Sequence, residues 1–345
     1  MNCKSLSFYV TRFSSNRVST IASIAFRVVM RMRRRILKRQ IIAIERYSGI
    51  GDIICTFPGV LALREKFPNA YIVYGVQKQF RAIVEMGKVA DKIVESDWNP
   101  KVPMLFAQDY DKFFRPRLDD EEGRFGSPLH LVDDFARTLG VNLVSRQPRL
   151  YIPKPIADFS AKEANRIRDG RPLLFGIHTG PSWAVREWRA ERWELLVRMI
   201  RSRYRCTVVQ FGSDVDTTRG LVGTPRVNGA YDCVGRYDLA QTVGMLETLD
   251  AFIGIDSGLL HIAGAVGTPT IGLFGPISPA LRLPPETLSI GITSNVACLG
   301  CHHRNPIMHW RDGCPNNIAC MTEITPEAVF KGIESLMGQP SRVEP

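Results

Sequence analysis

Residues 251–276, AFIGIDSGLLHIAGAVGTPTIGLFGP, constrain the fold more than any other stretch of the chain. AFIGI has the length and apolarity of a buried strand. It stops at Asp256-Ser257-Gly258, residues suited to starting a helix and to letting a ligand approach the backbone closely. LLHIAGAVG then has helical length, with small residues that allow tight packing on a sheet. TPTIGLF reads as the next strand, ahead of a Gly275-Pro276 turn. A strand–turn–helix unit aims free amides and a positive dipole end out of the sheet's carboxyl edge, which favours an anion such as a diphosphate. An ordinary βαβ unit with Asp256 as its cap fits the same residues. On this segment alone the two readings stand level.

A chain of 345 residues, 45% hydrophobic, is long enough for two α/β cores. Its net charge of +11 is unevenly placed, because residues 1–40 carry ten Lys/Arg and no acid. The remainder is close to neutral, so the basic character belongs to a leader over residues 1–39. No apolar run approaches the ~20 residues that span a bilayer. IASIAFRVVMRMRRRILKR suits a basic helix lying on an anionic membrane face. An organellar transit peptide and an unstructured start also fit that composition. Nucleic-acid binding is disfavoured, since RMRRRILKR lacks interleaved stacking aromatics.

Past the leader, IIAIER reads as a strand, Ser48-Gly49-Ile50-Gly51-Asp52 as a tight glycine loop, and IICTFPGVLALREKF as a helix with Pro58 a candidate kink. AYIVYGV completes a βαβ unit. The loop is not a full dinucleotide fingerprint, because position 54 is Ile. Residues 97–130 turn polar and irregular, and the acidic run 119–122 reads as a solvated face. RLYI is a short strand candidate, followed by a linker marked by Pro148, Pro153 and Pro155, then a helix over 157–169. PLLFGI opens a second α/β unit and leads into HTGPSWAVREWRAERWELLVRMI, whose Trp188 and Trp193 read as core. CTVVQF, a further strand, precedes Gly212-Ser213-Asp214-Val215-Asp216. That Asp-Val-Asp mimics a metal-holding DxD motif, a reading disfavoured by the two α/β halves.

Of eight cysteines, Cys3, Cys55, Cys206 and Cys233 are scattered and read as leader or core thiols. Cys298, Cys301, Cys314 and Cys320 are clustered at a spacing that suits either a tetrahedral structural Zn or Fe site or four free thiols. His302, His303 and His309 read as surface loop residues.

Three blocks in order resemble glycosyltransferase family 9, which includes the bacterial ADP-heptose:lipopolysaccharide heptosyltransferases. They are the Gly51-Asp52 loop; the His178-to-Trp188 segment together with Gly212–Asp216; and Asp256-Ser257-Gly258 with His261, Pro269, Gly275 and Pro276. The resemblance covers roughly residues 41–335. The family's His-Pro-Gly…Lys-x-Trp-Pro pattern is altered here, with Thr179 and Arg189 at the two Pro positions and Arg186 at the Lys position.

The resemblance implies an α/β fold of GT-B type, two Rossmann-like domains facing across a cleft. An acceptor-side domain would occupy residues 40–152 and a donor-binding domain 158–323, with the four-Cys segment at 298–320 and a C-terminal helix and tail at 325–345. It implies Asp52 as catalytic base, with Ser182, Arg186, Asp216, Asp256, Ser257, Gly258 and His261 on the donor. Arg forks across two phosphate oxygens where Lys is a point charge, so the exchange at 186 alters geometry. Asp256 is expected to cap the helix or hold a sugar hydroxyl, and His261 either to reach a phosphate or to pack as a core histidine.

The implied activity is inverting, metal-independent transfer of a heptose-like sugar from a nucleotide diphosphate sugar, ADP-heptose-like, to a lipopolysaccharide, cell-surface glycan or protein acceptor. No cofactor is then required for catalysis. The protein-modifying members of the family use a four-Cys iron site, whereas many lipopolysaccharide-directed relatives carry similar cysteines without metal. The expected location is cytoplasmic, peripheral on the inner face of the membrane. A non-catalytic nucleotide-sugar-binding subunit or a sugar-nucleotide epimerase shares the architecture, and a base at Asp52 argues against pure binding.

Overall fold

The structure, a computed structural model, describes residues 39–47, 49–96, 110–117, 129–180, 184–216, 221–303 and 314–338. The first half comprises β1 (Ile41–Glu45), α1 (Ile50–Lys66), β2 (Tyr71–Gln77), α2 (Arg81–Gly87), β3 (Lys92–Ser96), β4 (Lys112–Phe114) and α3 (Leu131–Leu139). Its sheet is parallel, ordered β3-β2-β1-β4. All five residues of β1 are buried, as expected for a parallel strand covered on both faces.

The glycine loop is shorter than the sequence suggests. Gly49 takes a positive φ of 81°, and the helix starts at Ile50, so Gly51 and Asp52 lie in its first turn. An acidic residue there is favoured by the helix dipole. α1 runs on through Pro58 to Lys66.

The second half opens with α4 (Lys154–Arg168), which starts three residues earlier than expected because Pro155 sits in its first turn, where a missing N–H costs nothing. It continues with β5 (Leu173–His178), α5 (Ala190–Arg203), β6 (Cys206–Gln210), β7 (Val215–Asp216), β8 (Leu221–Val222), β9 (Tyr231–Asp232) and α6 (Leu239–Glu247). Then come β10 (Ala251–Ile255), α7 (Gly258–Ala265), β11 (Thr270–Leu273), α8 (Pro279–Arg282), β12 (Ser289–Ile292), α9 (Ala319–Thr322) and α10 (Pro326–Met337). The main sheet is parallel in the order β12-β11-β10-β5-β6-β9, with β7 and β8 forming a small antiparallel pair.

Strand order reverses direction between β10 and β5 in this sheet, and between β1 and β4 in the first. Such reversals open a crevice at the carboxyl edge, where open α/β sheets bind ligands. The residues after β5, β10 and β1 are the three blocks singled out above.

α1 packs against α3 and against α7 of the second half. One apolar cluster therefore includes Ile53, Phe57 and Val60 of α1 together with Leu260, Ile262 and Ala263 of α7. The expected strand at 149–152 pairs with no sheet among the described residues. Its backbone is used to tie the halves together instead: Leu150 N–H donates to Ala265 O at 3.0 Å and Tyr151 N–H to Met86 O at 2.8 Å. α10 packs on α5 and β12, burying Val329, Ile333 and Leu336. Trp188 and Trp193 are core residues, stacked edge to face at 4.9 Å.

Candidate active site between the two sheets

The first turns of α1 and α7 meet without intervening side chains on either backbone. A Cβ added at Gly51 would lie 2.5 Å from Cδ2 of His261, and one added at Gly258 would lie 2.9 Å from Cβ of Ile50. Any larger residue at 51 displaces the imidazole or separates the helices. Glycine is therefore a packing requirement at both positions, while Gly49 is needed for conformation and for space, since its Cβ would collide with the Asp52 carboxylate.

Asp52 sits beside this junction, with its side chain 24% exposed. Arg46, at the end of β1, donates Nη2–H to Asp52 Oδ2 at 2.5 Å and Nη1–H to the Pro116 carbonyl at 3.1 Å. The guanidinium lies over the Phe135 ring at 5.6 Å. Packed on three sides, Arg46 fixes the carboxylate's position.

His261 faces Asp52's helix from the second half. Its Nδ1 lies 3.7 Å from the Cys55 thiol, and Cys55 falls one turn after Asp52 on the same face of α1. Burial lowers the His261 pKa, opposed by the nearby Asp256 and Asp52 carboxylates. Burial raises the Cys55 pKa, with Asp52 adding to the effect, so the thiol stays protonated. A protonated thiol is no nucleophile; Cys55 packs and orients the ring.

Asp256 does not cap α7. Ser257 occupies the N-cap position and makes no side-chain cap bond. Asp256 faces Arg186 instead, with Oδ2 3.5 Å from Nη1, while the same Nη1–H donates to the Asp256 carbonyl at 3.0 Å. The buried Asp256 Oδ2 and Ser257 Oγ have no hydrogen-bond partner among the described residues. Asp256 Oδ2 is compensated by the Arg186 charge; buried polar atoms are normally satisfied, and the Ser257 hydroxyl beside uncapped helix amides suits a polar ligand. Arg282, at the end of α8, is a further buried cation whose field reaches both Cys55 and His261.

Other residues are placed differently. His178 is buried, its ring bonded through Nδ1 to Phe211 O at 3.0 Å and its pKa lowered by burial. Asp214 pairs with Arg226 at 2.6 Å, which engages half of the DxD-like motif in the protein itself. Asp216 ends β7, a strand whose side chains are not described. Ser182 and His309 lie outside the described residues. His302, expected on the surface, is only 8% exposed and its N–H donates to Pro276 O at 3.0 Å. The turn after β11 folds back over it.

The Cys320 pKa is pushed up to about 12, first by burial and then by Cys298, Cys301 and Cys314, which therefore share one neighbourhood. Among the described residues no group of three or more His, Cys, Asp or Glu is arranged to hold a metal ion.

Sequence reasoning missed Arg46, Cys55 and Arg282. For Cys55 the signal was its i,i+3 spacing from Asp52. For the two arginines it was only a cation next to a glycine-containing block.

Two parallel Rossmann-like sheets with a carboxylate and an uncapped helix end between them define an α/β protein of GT-B type. Glycosyl transferase family 9 from Veillonella parvula superposes with a TM-score of 0.63 at 17% identity, covering 86% of this chain and 97% of that one. The iron-containing dodecameric glycosyltransferase TibC from enterotoxigenic E. coli gives 0.65 at 18%, covering 87% and 79%. TibC is also known in complex with ADP-D-beta-D-heptose. In sequence, lipopolysaccharide heptosyltransferase 1 of Pseudomonas aeruginosa is 24% identical over 219 residues, 58% of this chain and 61% of that protein. The chain thus spans about half to three-fifths of the length of the lipopolysaccharide heptosyltransferases it matches. The family model of glycosyltransferase family 9 (heptosyltransferase) matches residues 130–310. The chain belongs to that family.

Proposed function

We propose that this chain transfers a heptose-like sugar, with inversion, from an ADP-sugar donor to a lipopolysaccharide, glycan or protein acceptor. The observation carrying this reading is the direct contact of α1 with α7, which puts Asp52 beside the uncapped helix end. The relatives named above, a lipopolysaccharide heptosyltransferase and a protein bound to ADP-heptose, support the choice of donor.

In this reading the acceptor hydroxyl gives its proton to Asp52 as its oxygen bonds to the anomeric carbon. Arg46 holds Oδ2, leaving Oδ1 to face the acceptor. The bond from the anomeric carbon to the diphosphate breaks on the opposite side. The leaving diphosphate gathers charge, met by Arg186, by the α7 amides and by Ser182, with Asp216 on the donor ribose. Residues 40–152 supply the acceptor side and 158–323 the donor side.

Among the described residues no helix is long and apolar enough to cross a membrane. We propose a cytoplasmic location, with the charge of the basic leader drawing it to the anionic inner membrane face. That leader lies outside the described residues.

Among the described residues the four clustered cysteines are not grouped to hold a metal ion, and this scheme routes no step through them. About one Zn or Fe per chain in purified protein would establish a structural site there; four freely titrating thiols would establish plain cysteines.

Asp52→Asn tests the central claim. Turnover should fall by roughly 10²–10⁴-fold while the affinity for ADP stays near wild type. Arg186→Ala should weaken ADP binding and slow turnover together. Undiminished transfer by Asp52→Asn would remove the base from the scheme.

A further inference from the structure

Arg282 is 9% exposed, and its one hydrogen bond among the described residues goes from Nη1–H to the neighbouring Leu281 carbonyl at 3.1 Å. No carboxylate forms an ion pair with it among the described residues. Arginine keeps its proton under all ordinary conditions. A buried guanidinium without an anion is costly to the folded protein, and proteins that retain one generally supply the anion from elsewhere.

Topology indicates where that anion sits. β10 and β11 are adjacent and parallel, in register from Phe252–Thr270 to Ile255–Leu273. Both chains therefore leave the same carboxyl edge side by side, one into Asp256-Ser257-Gly258 and the other through Phe274 into α8. Ser257 Oγ, buried without a hydrogen-bond partner among the described residues, lies on the first of these exits, Arg282 on the second. Arg282 ends α8 and Arg186 follows β5, yet both act electrostatically on the His261 ring.

We infer that Arg282 is a second guanidinium for the diphosphate of the donor, acting with Arg186 on the leaving group's phosphate oxygens. The inference rests on the transferase reading above. An acceptor phosphate shares the chemistry, but Arg282 belongs to the sheet edge that carries the α7 amides, which favours the donor.

Calorimetric titration of the full chain with ADP and with AMP, in wild type, Arg282→Met and Arg282→Lys, tests it. Wild type should prefer ADP over AMP. Arg282→Met should shrink that preference about tenfold or more, with AMP affinity little changed, and Arg282→Lys should fall between. The unliganded Arg282→Met protein should melt no lower than wild type, because a buried unpaired charge has been removed. An unchanged ADP:AMP ratio, including one accompanied by slower transfer, would overturn the assignment. So would a lower melting temperature of both unliganded variants, which would mark a structural role. Failure of the wild type to bind ADP would reject the transferase reading itself, and this inference with it.

Discussion

Gly51 shows how a single missing Cβ sets the geometry of the site. Its position in the first turn of α1 lets the His261 ring lie against backbone. Gly51→Ala should force the imidazole or the helix to move, and overpacking of this kind costs about 1–3 kcal/mol. A urea-unfolding midpoint shifted downward, together with loss of transfer, is the expected result. Unchanged stability would mean the two helices separate freely and are not held in this contact. The motif containing Gly51 was visible in the sequence, but the reason for the glycine was not. The local pattern suggests a loop needing flexibility, whereas the residue is helical and needed for its small size.

At the scale of elements, two helix starts contrast. α6 begins with a full capping box, in which Asp238 accepts from Gln241 N–H at 2.8 Å and the Gln241 side chain accepts from Asp238 N–H. α7 begins with Ser257, a residue type equally able to cap, and its hydroxyl makes no such bond. Asp238→Ala should therefore destabilise by about 1 kcal/mol. Ser257→Ala should leave stability within about 0.5 kcal/mol, since no cap bond is lost, yet weaken ADP binding. Chemical denaturation paired with ADP titration separates the two. An equal loss of stability in both variants would show that Ser257 is an ordinary cap.

At the scale of the whole molecule, the two halves are pinned by histidines that must stay neutral. His130 caps α3 by accepting the Val132 N–H at its Nδ1 (3.2 Å), and its Nε2 lies 3.0 Å from the Leu283 carbonyl of the other half. Both bonds are met by the tautomer with its proton on Nε2. Burial lowers the His130 pKa from 6.5 to about 4, and His261 and His178 are lowered for the same reason. The unfolded chain then binds more protons than the folded one between those values. Stability is full above pH 6.5 and is lost as pH falls from 6.5 toward 4. Thermal melting across that window should show the loss, and His130→Gln should make it shallower. A profile flat from pH 7 to 4.5 would contradict the neutral assignment.

The family resemblance implied the two-sheet plan, and the sequence by itself determined the α/β class, the strands and helices around each glycine block, and the placement of Trp188 and Trp193 in the core. Those features depend on runs and periodicities a few residues long, and each short apolar run carries its own signal. It also marked Asp52, Arg186, Asp256 and His261 as candidates. Only the tertiary structure decided what these residues touch. Cys55 meets His261 across 206 positions of sequence, Arg186 meets Asp256 across 70, and His130 meets Leu283 across 153. It made Asp256, expected to cap the helix or hold a sugar hydroxyl, a partner of Arg186, moved His302 from surface to interior, and exposed Arg282 as a buried cation without a counter-charge among the described residues. The physical reason is locality: helix and strand propensity are written within a few residues, whereas burial, ion pairing and the close approach of two glycines exist only once distant segments have packed.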